Sequence, residues 1–121
     1  MVLIEQMIYE HLNYCYEAGE LSAPAYLMRP ETLPAKYVLV EKTGTSETNH
    51  ITSATIAIQS IAGRLYDAAV LNAEVKNCMR DFVGFDAISK CECTNDYNFT
   101  NIAAKQPRYQ AVFDVVYYED E

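Results

Sequence analysis

The apolar residues of the chain form two helical stripes. In the first segment they recur every three to four positions over residues 3–16, which predicts an amphipathic helix. A second stripe runs over residues 65–83 with alternating spacings of three and four, which predicts a helix that lies on a sheet. The members of the second stripe are Ala68, Leu71, Val75, Cys78 and Phe82.

Four further segments are rich in β-branched and aromatic residues, and each predicts a strand. They span residues 36–43, 51–63, 87–95 and 108–118. Alternation along the second of these strands places Ala54, Ile56, Ile58 and Ser60 toward the core and Thr55, Ala57 and Gln59 on the opposite face.

The last predicted strand alternates in the same way. Its core face carries Tyr109, Ala111, Phe113, Val115 and Tyr117, and its opposite face carries Arg108, Gln110, Val112, Asp114 and Val116. The opposite faces of these two strands are polar but weakly charged. A solvated sheet face usually carries more Lys and Glu, so this composition favours cover by another subunit.

The segments between these elements are richer in turn-forming residues. Pro24, Pro30 and Pro34 predict an extended arm over residues 20–35, compatible with a short edge strand at 25–29. The polar stretches 43–50 and 95–107 predict mobile loops. The order helix, arm, strand, strand, helix, strand, strand predicts one α+β domain over residues 1–121. We expect a mostly antiparallel sheet of four strands or slightly more, with both helices on one face.

The net charge of the chain limits the classes of function that it can have. Nine basic and 17 acidic residues give a formal net charge of -8, which argues against gripping nucleic acid or an anionic membrane through Lys and Arg. The sequence shows no signal-peptide pattern and no apolar run long enough for a membrane span. We therefore expect folding in a cytoplasm, with the four cysteines as reduced thiols that pack like small apolar residues.

No group of residues predicts a catalytic centre, a metal site or a cofactor site. Cys91 and Cys93 share one strand face and could bind a soft metal, but a structural zinc site needs two further ligands. We expect both thiols to pack against the second helix, because the other candidate ligands are scattered singly along the chain. These are His11, Cys15, His50 and Cys78. The acidic residues 119–121 predict a solvated tail, and no glycine-rich phosphate loop is present.

Several segments, in their order and spacing, resemble a known family. They are "PAYLMRPETLPAKYVLVEKTG", "ITSATIAIQSIAG", "YNF" and "QPRYQAVFDVVY". This set is similar to the tail terminator proteins of long-tailed, non-contractile phages, which are also called tail completion or head–tail joining proteins. The resemblance covers most of the chain from Pro24 onward. The chain departs from the family pattern in "CECTND" and "TNIAAK".

The resemblance implies a structural protein of the virion, without enzymatic activity, that is assembled in the host cytoplasm. Such proteins form a ring, usually a hexamer, that ends polymerisation of the tail tube and offers its other face to a neck or head-completion protein. DNA passes through the ring without specific binding. The partners implied are therefore further copies of the chain, the tail-tube protein and the neck protein, with no membrane.

The resemblance also implies interface residues. For Arg108 the role would be an inter-subunit salt bridge or amide clamp, with Glu41 or Asp114 as partner; the alternative is a solvent-exposed strand residue. The full set of candidate interface residues is Tyr26, Arg29, Glu41, Thr55, Gln59, Tyr97, Phe99, Arg108, Gln110 and Asp114.

Three other functions stay open at this point. The chain could be another neck or tail-tube component with a related fold. It could be a small-molecule-binding or regulatory α+β domain with a pocket between the second helix and the sheet. It could also be a thiol or zinc enzyme that uses Cys91 and Cys93.

Overall fold

The order of helices and strands follows the hydrophobic pattern closely. The computed structural model describes residues 3–32, 34–100, 102–103 and 105–118, so the predicted acidic tail at 119–121 lies outside the described residues. The elements within these ranges are α1 (Ile4–Glu17), β1 (Ala25–Tyr26), β2 (Tyr37–Thr48), β3 (Ile51–Ile61), α2 (Leu65–Arg80), a 3₁₀ helix (Asp81–Gly84), β4 (Ile88–Asn98) and β5 (Arg108–Tyr118).

The predicted α+β class is confirmed, but the sheet is mixed and has five strands. Its order is β1-β2-β3-β5-β4. The added strand is β1, which pairs parallel to β2 and places Ala25 beside Val38, whereas the other neighbouring pairs are antiparallel. The sheet is thus mostly antiparallel, with one strand more than the four that the longer patterns indicate, and its parallel pair lies at the β1 edge.

The edge strand β1 is only two residues long and is held from the helix side. Asn13 of α1 accepts a hydrogen bond from the Ala25 amide at 3.0 Å and donates one to the Ala25 carbonyl at 3.1 Å. The prolines at 24 and 30 lie on either side of this strand, and proline cannot donate to a strand ladder. The compatible strand at 25–29 is thus present in shortened form.

Both helices pack on the same face of the sheet. α1 buries Ile4, Ile8, Leu12 and Cys15, and the predicted stripe of α2 is at most 2% exposed at every position. The core face of β3 is also buried as predicted. From β5 the core receives Ala111, Phe113, Val115 and Tyr117, while Tyr109 is half-buried.

The predicted loop at 43–50 is wrong. β2 continues through Thr48 and turns back into β3 over Asn49 and His50, whose φ angles are 53° and 66°. A two-residue hairpin with both central residues at positive φ matches the right-handed twist of the flanking strands. The stretch looks loop-like in sequence because every residue from 41 to 50 is exposed, so its pairing rests on the backbone.

The predicted loop at 95–107 is also too long. β4 extends through Asn98, which pairs in register with Tyr109. In the same region α2 ends at Arg80, and the chain continues as the 3₁₀ helix rather than as α-helix to Val83.

Three β-bulges shift the strand registers, and each places a hydroxyl side chain at the irregular position. The shifts surround Thr43 in β2 and Ser89 and Thr94 in β4. Each hydroxyl donates to a carbonyl on the neighbouring strand, which satisfies an acceptor where the ladder is disrupted. The acceptors are the carbonyls of Thr55, Val116 and Val112, each at 3.3 Å.

The burial of the core face predicts that two isoleucines of β3 contribute very differently to the free energy of unfolding. Ile58→Ala should lower the free energy of unfolding by about 2–5 kcal/mol, because Ile58 is fully buried and its removal leaves a cavity. Ile51→Ala, at a position that is 40% exposed, should cost about 0.5 kcal/mol. Urea denaturation measures both values, and equal losses would contradict the assignment of the core face.

Candidate functional site

Most predicted interface residues lie on the sheet face opposite the helices, which we call the open face. Residues paired in register point to the same side of a sheet. The register pairs Thr55 with Asp114 and Gln59 with Gln110, and it pairs Gln110 with Tyr97 on the other side. The candidates that fall on the open face by this rule are Tyr26, Glu41, Thr55, Gln59, Tyr97, Arg108, Gln110 and Asp114.

The remaining two candidates lie outside this face. Arg29 is exposed in the arm just after β1. Phe99 follows the end of β4, is 44% exposed, and packs edge-on against Tyr97 with ring centroids 5.9 Å apart. Both side chains are accessible to a partner from the rim of the sheet.

The centre of the open face is apolar. Val112 is half-buried and pairs in register with the buried Ala57, and Leu39 on β2 and Val116 on β5 add half-buried apolar surface. Charged residues share this face: Glu41 on β2, Arg108 and Asp114 on β5, and Lys90 and Glu92 on β4, whose side chains approach to 3.6 Å. A face that combines half-buried apolar side chains with a few charged ones is compatible with a protein–protein interface.

A chain of hydrogen bonds crosses the open face from β2 to β4. Gln59 donates from Nε2 to Gln110 Oε1 at 3.2 Å, and Gln110 donates from Nε2 to the Tyr97 hydroxyl. On the other side Arg108 donates to Gln59 Oε1 at 2.8 Å and to Gln106 Oε1. Gln106 then donates from Nε2 to the Tyr37 hydroxyl at 3.3 Å. We call this set the amide–tyrosine chain: Tyr37, Gln106, Arg108, Gln59, Gln110 and Tyr97.

Arg108 is a half-buried cation whose hydrogen bonds go to neutral amide oxygens. Its Nε atom is buried without a hydrogen-bond partner. The ion pairs found among the described residues are Lys42–Glu5, Arg64–Asp67, Lys76–Asp96 and Lys90–Glu92, so none involves Arg108. A pairing of Arg108 with Glu41 or Asp114 of another copy stays a prediction.

Sequence reasoning missed one polar contact that ties the sheet to α2. Asp96 of β4 accepts from Lys76 Nζ at 2.6 Å and from Asn72 Nδ2 at 2.8 Å. The bond from Lys76 is the main reason that the pKa of Asp96 lies below its usual value. Because Asp96 lay in a predicted loop, the sequence offered no sign that it faces α2.

The two thiols of the C-E-C stretch behave differently. Cys91 is half-buried, and burial, with a further contribution from Cys93, raises the pKa of its thiol to about 11. Cys93 is exposed. The prediction that both thiols pack against the second helix is therefore confirmed only in part: both line the cleft between α2 and the sheet, but Cys91 packs against the core while Cys93 is exposed. The bulge around Thr94, which a regular alternation cannot anticipate, lies beside Cys93.

A different set of ligand-type residues, whose members are scattered along the sequence, meets between the two helices. The ligand atoms of Cys15, Glu20 and Cys78 all lie within 4.8 Å of one another. His11 Nε2 lies 3.9 Å from Cys15 Sγ and donates to the Cys78 carbonyl at 2.7 Å. The spacing of His11 and Cys15, four residues apart on one helix face, was the available sequence signal.

A sizeable cleft lies against α1. It has a volume of about 560 Å³ and is lined by Met7, Glu10, His11, Tyr14, Asp81, Gly84 and Phe85. The cleft between α2 and the sheet, where a ligand pocket was the alternative expectation, measures about 260 Å³. Small-molecule sites usually exceed about 300 Å³, so the cleft between α2 and the sheet falls below that size class. The α1 cleft reaches it, as does a cleft of about 480 Å³ between α1 and the arm.

Comparison with known proteins adds no family assignment. The chain matches no protein-family model and no curated protein at a significant level. Among the described residues, no helix is both long enough and apolar enough to cross a membrane.

Thiol labelling should rank the cysteines by accessibility. Near pH 8 we expect one rapid equivalent at Cys93, and Cys93→Ser should remove it. Cys91 should react faster as the pH rises toward its pKa of about 11, because the thiolate is the reactive form. Mass spectrometry counts the labels, and denaturant should expose all four thiols. Fast labelling of buried Cys15 in the folded chain would contradict the packing of α1 against α2.

Removal of a single hydroxyl group tests whether the amide–tyrosine chain stabilises the fold. Tyr97→Phe removes the hydroxyl that accepts from Gln110, and it should lower the free energy of unfolding by about 1 kcal/mol. Tyr66→Phe is the matched control, because Tyr66 is 73% exposed, and we expect a change close to zero. Urea denaturation of both variants measures the difference. Equal stability of the two variants would mean that the Gln110 bond contributes nothing.

Proposed function

We propose that the chain is a ring-forming structural protein that caps the tail tube of a long-tailed, non-contractile phage and joins the tail to the neck. The observation that carries this proposal is the open face, since both helices pack on the other side of the sheet. The resemblance of the ordered segments from Pro24 onward to tail terminators supports the same conclusion. The role requires no chemical step.

A ring needs two different surfaces on each copy, because each copy meets its neighbours head to tail. The open face is one surface. The arm at 20–35 is the second, because it presents Leu27 and Met28 with 39% and 78% exposure. These side chains would cover the apolar centre around Ala57 and Val112 of the next copy.

The half-buried cation on the open face supports an ionic component of this interface. Arg108 is held in place by Gln59 and Gln106, so its orientation is set before any partner arrives. A carboxylate from the neighbouring copy would provide the counter-ion, and an acidic chain offers many. A guanidinium that is held in a fixed orientation and pairs with a carboxylate of the next copy would help to fix how the two copies align.

The charge of the chain also suits a DNA conduit. A ring of copies that each carry a formal charge of -8 repels a polyanion rather than binding it. DNA would then pass through the lumen without being retained. The same surface features would serve another component of the neck or tube, and labelling on the assembled particle separates these positions.

A second candidate function is small-molecule binding in the α1 cleft. The observation that favours it is the volume of about 560 Å³, with His11 and Phe85 in its lining and their rings in edge-on contact at 5.5 Å. A ligand at this site would raise the melting temperature of an isolated, monomeric chain. A ring-forming protein would instead change its melting temperature with its own concentration.

The ring proposal predicts assembly that depends on the open face. The native chain should form a large closed oligomer, alone or on purified tail tubes, as measured by light scattering and electron microscopy. Val112→Arg should abolish this assembly without unfolding, because Val112 is only half-buried and arginine can extend from it into solvent.

The matched control is Val70→Arg on the outer face of α2, where valine is 38% exposed. This variant should assemble like the native chain. If the native chain stays monomeric and also fails to cap tail tubes, the proposed function is wrong. If both arginine variants assemble, the interface lies elsewhere than on the open face.

A further inference from the structure

Two thiols, a carboxylate and an imidazole converge where α1, the turn after it and α2 pack together. Cys15 and Cys78 are 1% and 2% exposed, whereas Glu20 is exposed at the rim of the same spot. The ligand atoms of these three residues lie within 4.8 Å of one another. His11 borders the group through Cys15 and the Cys78 carbonyl.

The backbone at the end of α1 brings Glu20 back over Cys15. Gly19 adopts a positive φ of 84°, which favours glycine because it has no Cβ. The Glu20 amide donates to the Cys15 carbonyl at 2.9 Å, and the Gly19 amide donates to the Tyr16 carbonyl at 3.2 Å. This bonding pattern is a Schellman motif, which fixes the path of the chain just beyond the helix. Glu20 is thus placed beside Cys15 by the fold.

The electrostatic surroundings of the group favour a cation. The carboxylates that act on the two thiols are Glu20, Glu74 and Asp81, all of one sign. The last turn of α1 contains no basic residue, so the negative end of its dipole has no side-chain cation there. Two thiol sulfurs and a carboxylate oxygen are ligand types that zinc-class cations bind.

We propose that Cys15, Cys78 and Glu20 bind one zinc-class divalent cation. Two thiolates and a carboxylate form a three-ligand set, and water takes the fourth position at the exposed rim beside Glu20. His11 is a positioning residue, because its Nε2–H bond to the Cys78 carbonyl holds that turn of α2 against α1.

The geometry needs little adjustment for this ion. In a tetrahedral site with Zn–S distances of about 2.3 Å, neighbouring ligand atoms lie roughly 3.8 Å apart. Separations of up to 4.8 Å therefore have to close by about 1 Å. The Glu20 side chain can provide most of this movement, because it is exposed and not packed.

Titration of the reduced native chain with Co²⁺ tests the proposal, because cobalt bound to thiolate absorbs in the near ultraviolet. We expect one equivalent to produce this band, Zn²⁺ to displace it, and Zn²⁺ to raise the melting temperature. Cys15→Ser and Cys78→Ser should each abolish the band, with circular dichroism as the check on folding. The double variant Cys91→Ser with Cys93→Ser should retain it.

Substitution of the buried cysteines could unfold the chain, so a substitution at the exposed Glu20 provides a second test. Glu20→Gln should weaken cobalt binding at least tenfold, whereas Glu17→Gln, an exposed acidic residue three positions earlier on α1, should leave it unchanged. The proposal is overturned if the native chain gives no thiolate–cobalt band, if the band depends on Cys91 and Cys93, or if the two glutamine variants bind cobalt equally. None of these results depends on whether the chain forms a ring.

Discussion

The structure depends on one-sided packing of the sheet. Two apolar helical stripes, one on α1 and one on α2, bury the same face of β2, β3, β4 and β5. Burial of these side chains is the main favourable free energy of the fold, and it requires every strand to present its apolar positions on one side. The opposite side of the sheet is then left to polar and small side chains, and its features follow from this constraint.

Under the ring proposal, the open face must be stable in a single copy and must also bind a neighbouring copy. Its long polar side chains satisfy one another through the amide–tyrosine chain, so Gln59 and Gln110 lie flat across the strands and are held in place. Fixed side chains lose little further entropy when a partner covers them. Arg108 is the exception to complete satisfaction, because its Nε remains without a partner and its charge has no carboxylate among the described residues. Arg108 is thus held in a fixed orientation by neighbouring side chains while one of its donors stays unpaired.

The parts of the fold set by side-chain burial were predictable from the sequence. The α2 stripe and the core faces of β3 and β5 follow from periodicity, because each buried position must repeat at 3.6 or 2 residues. The parts set by backbone pairing were not. The hairpin through Asn49 and His50 is exposed throughout, so no hydrophobic pattern marks it. The sequence was compatible with a short edge strand at 25–29, but its two-residue length and its two hydrogen bonds with Asn13 are not evident from local sequence.

The candidate sites divide in the same way. Strand alternation placed Thr55, Gln59, Arg108, Gln110 and Asp114 on one face, and the register agrees. Alternation also placed Cys91 and Cys93 on one face, which the register confirms, but it did not anticipate the bulges on either side of this stretch. Sequence separation hid the meeting of Cys15 with Cys78, since only the packing of α1 on α2 brings them together.

The turn after α1 links the two surfaces that the proposals concern. Gly19 directs the chain so that Glu20 lies over Cys15 and Leu21 enters the core, 1% exposed. From there the arm is tied to α2, because the amide and hydroxyl of Ser22 both donate to Glu74, at 2.9 and 2.8 Å. A metal ion between α1 and α2 would therefore restrain the first residues of the arm as well as the helices. Since the arm is the surface assigned to meet the open face of a neighbour, ordering it before assembly would lower the entropy lost when copies associate.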